Sequence, residues 1–184
     1  MRFASLMVTL LLTTLPAAAA VRPLQPAGSS IAFTFTQMNV PAQGRFKRFA
    51  GTIDFDPAKP ETSHIDMQVD VASFSASEDA DAEAVKPQWL DASGHPQARF
   101  VSSAVKSLGG GHYQATGKLT IKGVSRDVTV PFDFKEQAGG ASMDGRFIVR
   151  RGDYKVGEGE WSAFDIVANE VAVQFHLVLG AAAH

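Results

Sequence analysis

The side chains best suited to hold a metal ion or pass a proton are five histidines, His64, His95, His112, His176 and His184. They are scattered, and none has a second His or a carboxylate at a recognised ligand spacing on one predicted element. His176 falls among the alternating Val173, Phe175 and Leu177, which makes it an outward-facing polar residue of a strand. Asp79, Asp81 and Glu83 stand at alternate positions like the start of a calcium loop. Such a loop needs Gly at its sixth position and Glu at its twelfth, where this chain has Ala84 and Leu90. The acids read instead as the first turns of a helix, favoured by its dipole. The run Gly157-Glu158-Gly159-Glu160-Trp161-Ser162 is not a dinucleotide fingerprint, because it ends in Ser and carries acids that repel phosphate. Glu158 and Glu160 read as a solvated rim, and Arg151 with Asp153 as an ion pair at a strand end. The chain has no cysteine, which excludes disulfides, a thiol nucleophile, Fe–S centres and Cys-based zinc sites. With no G-x-S-x-G elbow either, the residues assemble no catalytic group. The expectation is a protein that is not an enzyme and carries no metal or resident cofactor.

The elements that must position whatever function remains are strands. The chain has 184 residues, 45% of them hydrophobic, with a net charge of −2. That length fits one domain, and the charge lacks the basic footprint of a nucleic-acid binder. Residues 1–20 have a charged start at Arg2, an apolar stretch from Phe3 to Leu15, Pro16, and small residues ending Ala18-Ala19-Ala20. This is the layout of a secretory signal peptide, too short to span a bilayer. The expected organisation is a signal peptide over 1–20 and one domain over 21–184, exported to the periplasm. In the domain, apolar residues recur every second position, as in a strand with one buried face. The pattern predicts strands over Ser29–Gln37, Gln43–Asp56, Ile65–Val71, Ala98–Ser107, His112–Lys122, Arg126–Glu136, Ala141–Arg151 and Glu170–Leu179. Gly109-Gly110-Gly111 and Gly139-Gly140 mark hairpin turns. The spacing Ser75-Ala76-Ser77-Glu78 reads as a capping box for a short helix over Glu78–Lys86, ended by Pro87.

Eight antiparallel strands can stack as a sandwich or close as a barrel. A barrel of that size is just wide enough to be filled by side chains or to hold one small ligand. An outer-membrane barrel is disfavoured, because its aromatic girdles would need more than the two Trp and two Tyr present. Thirteen Phe against those four describe an interior with few polar handles.

Four segments carry a family resemblance. Trp89-Leu90-Asp91 with His95-Pro96-Gln97-Ala98-Arg99-Phe100-Val101-Ser102 is similar to the "[FW]-[FL]-[DN]…[YFH]-P-x-A-x-F-x-S" stretch of the YceI-like polyisoprenoid-binding family. Thr116-Gly117-Lys118-Leu119-Thr120-Ile121-Lys122-Gly123-Val124 resembles its "G-x-L-T-[IL]-[KR]-G-V" hairpin. Val149-Arg150-Arg151-Gly152-Asp153-Tyr154-Lys155-Val156-Gly157 resembles "[IV]-x-R-x-[DE]-[FY]-x-[IV]-G", and Val171, Val173 and Phe175 fit the closing strand. The resemblance covers about Ser29 to Leu179. It implies an all-β, lipocalin-like eight-stranded antiparallel barrel with a short helical crossover, holding the tail of a polyprenol or quinone in an apolar channel. One departure is that Asp81-Ala82-Glu83-Ala84 stands where many members carry "D-x-H-L", so a head-group contact by that His is missing. Trp89-Leu90 in place of the usual Phe pair is similar to a subgroup associated with b-type membrane cytochromes. The alternative to a lipid carrier is therefore an accessory module of a membrane cytochrome system. The expected partner is an isoprenoid lipid, with the protein a monomer or homodimer.

On the more apolar strand faces, the candidates for lining the channel are Phe33, Phe35, Ile53, Phe55, Met67, Val69, Phe100, Leu119, Ile121, Phe132, Phe134, Phe147, Val173 and Phe175. Trp89 and Trp161 are candidates for its mouth, where an indole can touch both tail and head group.

Overall fold

A computed structural model describes residues 21–182; the expected signal peptide lies outside the described residues. Period-two segments become long antiparallel strands: β1 (Val21–Pro23), β2 (Ser30–Gln37), β3 (Val40–Phe46), β4 (Phe49–Asp54), β5 (His64–Asp70), β6 (Phe74–Ser75), β7 (Gln97–Gly109), β8 (His112–Ile121), β9 (Val124–Gln137), β10 (Gly140–Arg150) and β11 (Glu170–Gly180). One helix, α1 (Glu78–Ala84), lies between β6 and β7. All pair in a single sheet of order β1-β4-β5-β7-β8-β9-β10-β11-β2-β3-β6.

The sheet curls into a lipocalin-like half-barrel, and the bends that curl it explain why eleven strands are found where eight are expected. β3 and β4 are halves of one strand bent at Lys47 and Arg48. β5 and β6 are halves of another, bent through the 3-10 turn Val71–Ser73. At this double corner the Lys47 N–H donates to the Ser73 carbonyl (3.0 Å) and the Asp70 N–H to the Arg48 carbonyl (3.0 Å). The Arg48 N–H donates to Ser73 Oγ (3.0 Å). Ser73 is 2% exposed, so its hydroxyl satisfies backbone groups that the broken ladder would leave unpaired. The two margins of the sheet are thus brought together by the covalent chain at Lys47-Arg48. The remaining extra strand is the short β1, which pairs with β4.

Turn chemistry sets the hairpins. Between β8 and β9 the two central residues Lys122 and Gly123 have φ of 48° and 73°, the left-handed pair that matches strand twist in a two-residue hairpin. The helix begins at Glu78, as expected, but its cap is not Ser75. Its N-cap is Ser77, whose hydroxyl accepts from the Ala80 N–H, and Asp81 Oδ1 accepts from the Ala76 N–H at 2.6 Å. It ends at Ala84 rather than Lys86, and the chain then turns so that the Leu90 N–H returns to the Ala84 carbonyl (3.0 Å).

The interior splits into two apolar clusters at different heights. The lower one is a solid floor around Ile53 and Phe55, both 0% exposed, with Tyr113, Phe132, Phe134, Met143 and Leu179. The Phe55 ring meets Tyr113 at 5.0 Å and Phe134 at 4.6 Å. The upper cluster joins Leu119 and Val149 of the sheet to Tyr154 and Val156 of the loop 151–169, which with residues 85–96 forms a cap, and Trp89 and Leu90 pack onto it.

Candidate functional site

Between floor and cap the inward faces do not meet, and they leave a cavity of about 180 Å³. Its upper wall is Leu90, Leu119, Ile121, Phe147, Val149 and Val173, and its middle is Val69, Val71, Ala98, Phe100, Ala115 and Val130. Ile31, Phe46, Ile65, Met67, Phe132, Met143, Phe175 and Leu177 complete it towards the floor. Arg99 also borders it, but its guanidinium is engaged by Asp66, with Nε donating to Oδ1 at 2.8 Å. The wall presents almost no polar surface. Such a space favours apolar matter and offers no group to polarise or protonate a substrate.

Of the residues expected to line a channel, Met67, Val69, Phe100, Leu119, Ile121, Phe132, Phe147, Val173 and Phe175 are on the wall. Phe33, Phe35, Ile53, Phe55, Phe134, Trp89 and Trp161 are not. Each departure has a packing reason. Phe33 stacks on Phe74 at 4.8 Å and meets Phe46 at 5.3 Å and Phe35 at 6.2 Å. This aromatic cluster fills the gap where β6 pairs with only the end of β3. Ile53, Phe55 and Phe134 belong to the floor. Trp89 and Trp161 pack on each other in the cap, ring centres 5.5 Å apart. The wall residues not expected include Ala98, Ala115, Val71 and Val130, small side chains at inward positions.

The cap is organised by Arg151, which is 3% exposed and does not pair with Asp153 as expected. After β10 the chain enters a 3-10 turn, Arg151–Tyr154, closed by Lys155 at φ 57°, and this reversal points Arg151 into the loop. Its Nε donates to the Ala168 carbonyl (3.2 Å). Nη1 donates to those of Val156 (2.9 Å) and Gly157 (3.2 Å). Nη2 is shared among those of Trp161 (2.9 Å), Ala163 (3.2 Å) and Val167 (2.7 Å). The guanidinium carbon also lies 5.3 Å from the Trp89 ring centre and 4.9 Å from that of Phe164. Burial pulls the Arg151 pKa down and pushes the Tyr154 phenol up. The cap's two halves are joined where the Gly157 and Glu158 N–H groups both donate to the Gln88 carbonyl (2.8 and 2.9 Å). Glu158 is not a free rim acid. It accepts from Lys122 Nζ at 2.8 Å, and that hydrogen bond holds its carboxyl below the usual range.

Sequence spacing also missed carboxylate partners for the histidines, because they lie on neighbouring strands. His112 Nδ1 is 2.5 Å from Asp133 Oδ1, and His176 Nδ1 is 2.6 Å from Asp144 Oδ1. These pairs are on the outer face of the sheet, away from the cavity. Among the described residues no group of three or more His, Asp or Glu is arranged to hold a metal ion.

Comparison with known proteins gives a consistent answer. The model of the YceI-like domain matches residues 23–179. A UPF0312 protein of Pseudomonas syringae pv. syringae is 39% identical over 92 residues, covering 50% of this chain and 48% of that protein. Another, from Pseudomonas fluorescens, is 41% identical over 92 residues, with the same coverage of each chain. The chain thus spans about half the length of the curated relatives it matches. Among solved structures, BcnA of Burkholderia cenocepacia superposes with a TM-score of 0.82 at 42% identity, covering 84% of this chain and 98% of that one. A polyisoprenoid binding domain from Saccharophagus degradans, implicated in plant cell wall breakdown, shares the fold at 14% identity. Its TM-score is 0.69, over 89% of this chain and 99% of that one.

Proposed function

We propose that this chain, which belongs to the YceI-like domain family, binds the tail of a long isoprenoid lipid, a polyprenol or a quinone, and acts as a carrier or store without turnover. The single observation that carries the reading is a cavity wall of Leu, Ile, Val, Phe, Met and Ala with almost no polar surface. The name of the Saccharophagus degradans domain adds support, as a fold-level likeness.

Size and energy set the terms. The cavity, about 180 Å³, is close to the roughly 150 Å³ apolar void that admits benzene, and below the ~300 Å³ at which pockets for drug-sized ligands begin. It therefore takes a short stretch of a prenyl chain at once. A longer tail is admitted by adjustable side chains such as Met67 and Met143, whose unbranched thioethers repack at little cost. Each buried methylene contributes about 0.8 kcal/mol, so ten carbons supply about 8 kcal/mol gross. Against an association cost of about 4–15 kcal/mol, only long tails bind well. The protein then selects by length and apolarity. The layout of residues 1–20 supports export, and the proposed compartment is the periplasm.

The test is organic extraction of the full chain, purified without detergent, followed by mass spectrometry. A co-purified prenyl lipid is the expected result. A lipid-free protein that also fails to take up a prenyl quinone or polyprenol from vesicles would defeat the proposal.

A further inference from the structure

The strand ladder does not run the full height of the wall between β9 and β10. These two strands pair only from Gln137 and Gly140 up to Phe132 and Gly145. Above that level β9 stays bonded to β8 as far as Val124, and β10 to β11 as far as Arg150, but β9 and β10 no longer pair with each other. The residues at the parting point explain it. Pro131 has no N–H to give a ladder, and proline within sheets is confined to edges and bulges. Gly145 marks the last close approach, since a Cβ there would stand 2.6 Å from the Pro131 carbonyl oxygen. Beyond it the seam follows Arg146 to Arg150, a length of about 17 Å at the rise of a strand. The 3-10 turn Arg151–Tyr154 touches β9 again and bounds the seam above.

The seam adjoins the cavity. Val130 on one strand and Phe147 and Val149 on the other flank it, and all three are on the cavity wall. Val128 and Phe147 pack on the upper cluster yet are only half-buried, and Ile148, on the outer side, is 49% exposed. Apolar side chains thus continue from the cavity wall to the surface. Other ways in cost more. The floor is a packed aromatic cluster. The cap is tied by the hydrogen bonds of Arg151 and of the Gln88 carbonyl, each worth about 1 kcal/mol net. The neighbouring ladders lose backbone bonds when prised apart. Parting β9 from β10 above Phe132 breaks no ladder bond and displaces side chains alone.

We infer that a prenyl tail enters and leaves the cavity sideways, through the seam between the upper halves of β9 and β10, while the cap stays closed. The inference rests on the proposed tail-binding role and adds the route by which the site is filled. Val128, which does not line the cavity, and Phe147, which does, are the side chains that must move aside.

The experiment locks each route in turn on the full chain, which has no cysteine of its own. Thr129 and Ile148 come level when the β9–β10 register is continued upward from Phe132 and Gly145, and both are exposed. Thr129→Cys with Ile148→Cys is bridged by a short bis-methanethiosulfonate, checked by mass and reversed with a phosphine. Gln88→Cys with Glu158→Cys, bridged in the same way, locks the two halves of the cap. Stopped-flow emission of the apolar fluorophore N-phenyl-1-naphthylamine gives the uptake rate, and a farnesol chase gives the release rate. Bridging the seam is expected to slow both by at least about tenfold, because the remaining routes must break several hydrogen bonds. Kd should stay within about twofold, since the filled and empty states are the same, and reduction should restore the rates. Bridging the cap should leave the rates unchanged. Val128→Ala, which trims the seam without a bridge, should speed uptake and release together at constant Kd. Rates untouched by the seam bridge, or slowed by the cap bridge alone, overturn the lateral route and leave tail binding standing. So does a Val128→Ala variant with the parent's rates. Failure of the unbridged protein to bind either probe overturns both.

Discussion

Leucine in place of Ala115 adds three carbons to the middle of the cavity. Ala115 is 2% exposed, lines the wall from β8, and sits between Val105 on β7 and Val130 on β9. An unfilled void destabilises a folded protein by about 24 cal/mol per Å³. At 180 Å³ the ligand-free protein therefore forgoes about 4 kcal/mol. Three newly buried carbons at about 0.8 kcal/mol each recover about 2 kcal/mol of it. For a domain of this size that raises Tm by about 4–8 °C. The same carbons occupy space the tail would have used, so a prenyl ligand loses about 2 kcal/mol, roughly 30-fold in Kd. Thermal melts followed by circular dichroism, without ligand, measure the first effect. Displacement of the apolar fluorophore by a prenyl probe measures the second. Opposite signs, stability up and affinity down, separate a filled binding cavity from ordinary damage to a core, which lowers both. A variant that is stabilised but binds as before would put the ligand elsewhere. One that is destabilised by a kilocalorie or more would show that the space is already occupied by side chains.

Gly145→Ala should act in the same region by strain. A Cβ there meets Phe175 Cζ at 2.3 Å and the Pro131 carbonyl oxygen at 2.6 Å, so both the ring and the β9 backbone must move, at a cost of about 1–3 kcal/mol by chemical denaturation. A neutral result would mean that the ring and the Pro131 backbone both yield freely. Arg151→Lys keeps the charge but replaces a five-donor fork with three donors facing six carbonyls. We expect a loss of at least about 3 kcal/mol, or about 6–12 °C in Tm, with red-shifted Trp emission as the Trp89–Trp161 pair becomes wet; a melt within 2 °C of the parent would refute the role given to the fork. Asp66→Asn tests the Arg99 pair. The hydrogen bond from Arg99 holds the Asp66 carboxyl below its ordinary value of 3.8. Its contribution is present above that value and is lost as pH falls through the lower folded one. The stability curves of parent and variant should therefore be separated above pH 4 and converge in stronger acid; a separation that persists in acid would assign the effect to packing.

The strands were legible because a strand's signature is local. Ile65, Met67 and Val69 alternate with Asp66, Gln68 and Asp70, and that suffices to assign a face. The bends were not. Nothing in Lys47-Arg48 or Val71-Ala72-Ser73 announces a corner, which exists only because the two segments exchange hydrogen bonds across more than twenty residues of chain. The same holds for Arg151, read from neighbouring sequence as the partner of Asp153. Its acceptors come from positions 156 to 168, and it acts as the hub of a loop with no periodicity of its own. The His–Asp pairs were hidden for a related reason, since ligand-spacing rules look along one element while a sheet brings partners together across two.

The lining residues show what alternation can and cannot say. A period of two tells which side of the sheet a residue faces, and nothing about its height along the barrel axis. Phe33, Phe55 and Phe134 all face inward, yet they are spent on plugs, because a ring fills a narrowing space well and phenylalanine brings no polar atom to satisfy there. The open level is the one where the inward residues are small. Ala98 lies beside Val69, and Ala115 between Val105 and Val130, so that this stretch of wall carries short side chains and leaves the space in front of it open. Phe alone thus does not mark the level of the cavity, since Phe46, Phe100, Phe132, Phe147 and Phe175 line it while Phe33, Phe55 and Phe134 plug. The space for a ligand is written in a row of Ala and Val, and inward volume summed level by level, instead of hydrophobicity summed along each strand, is the quantity that would have located it.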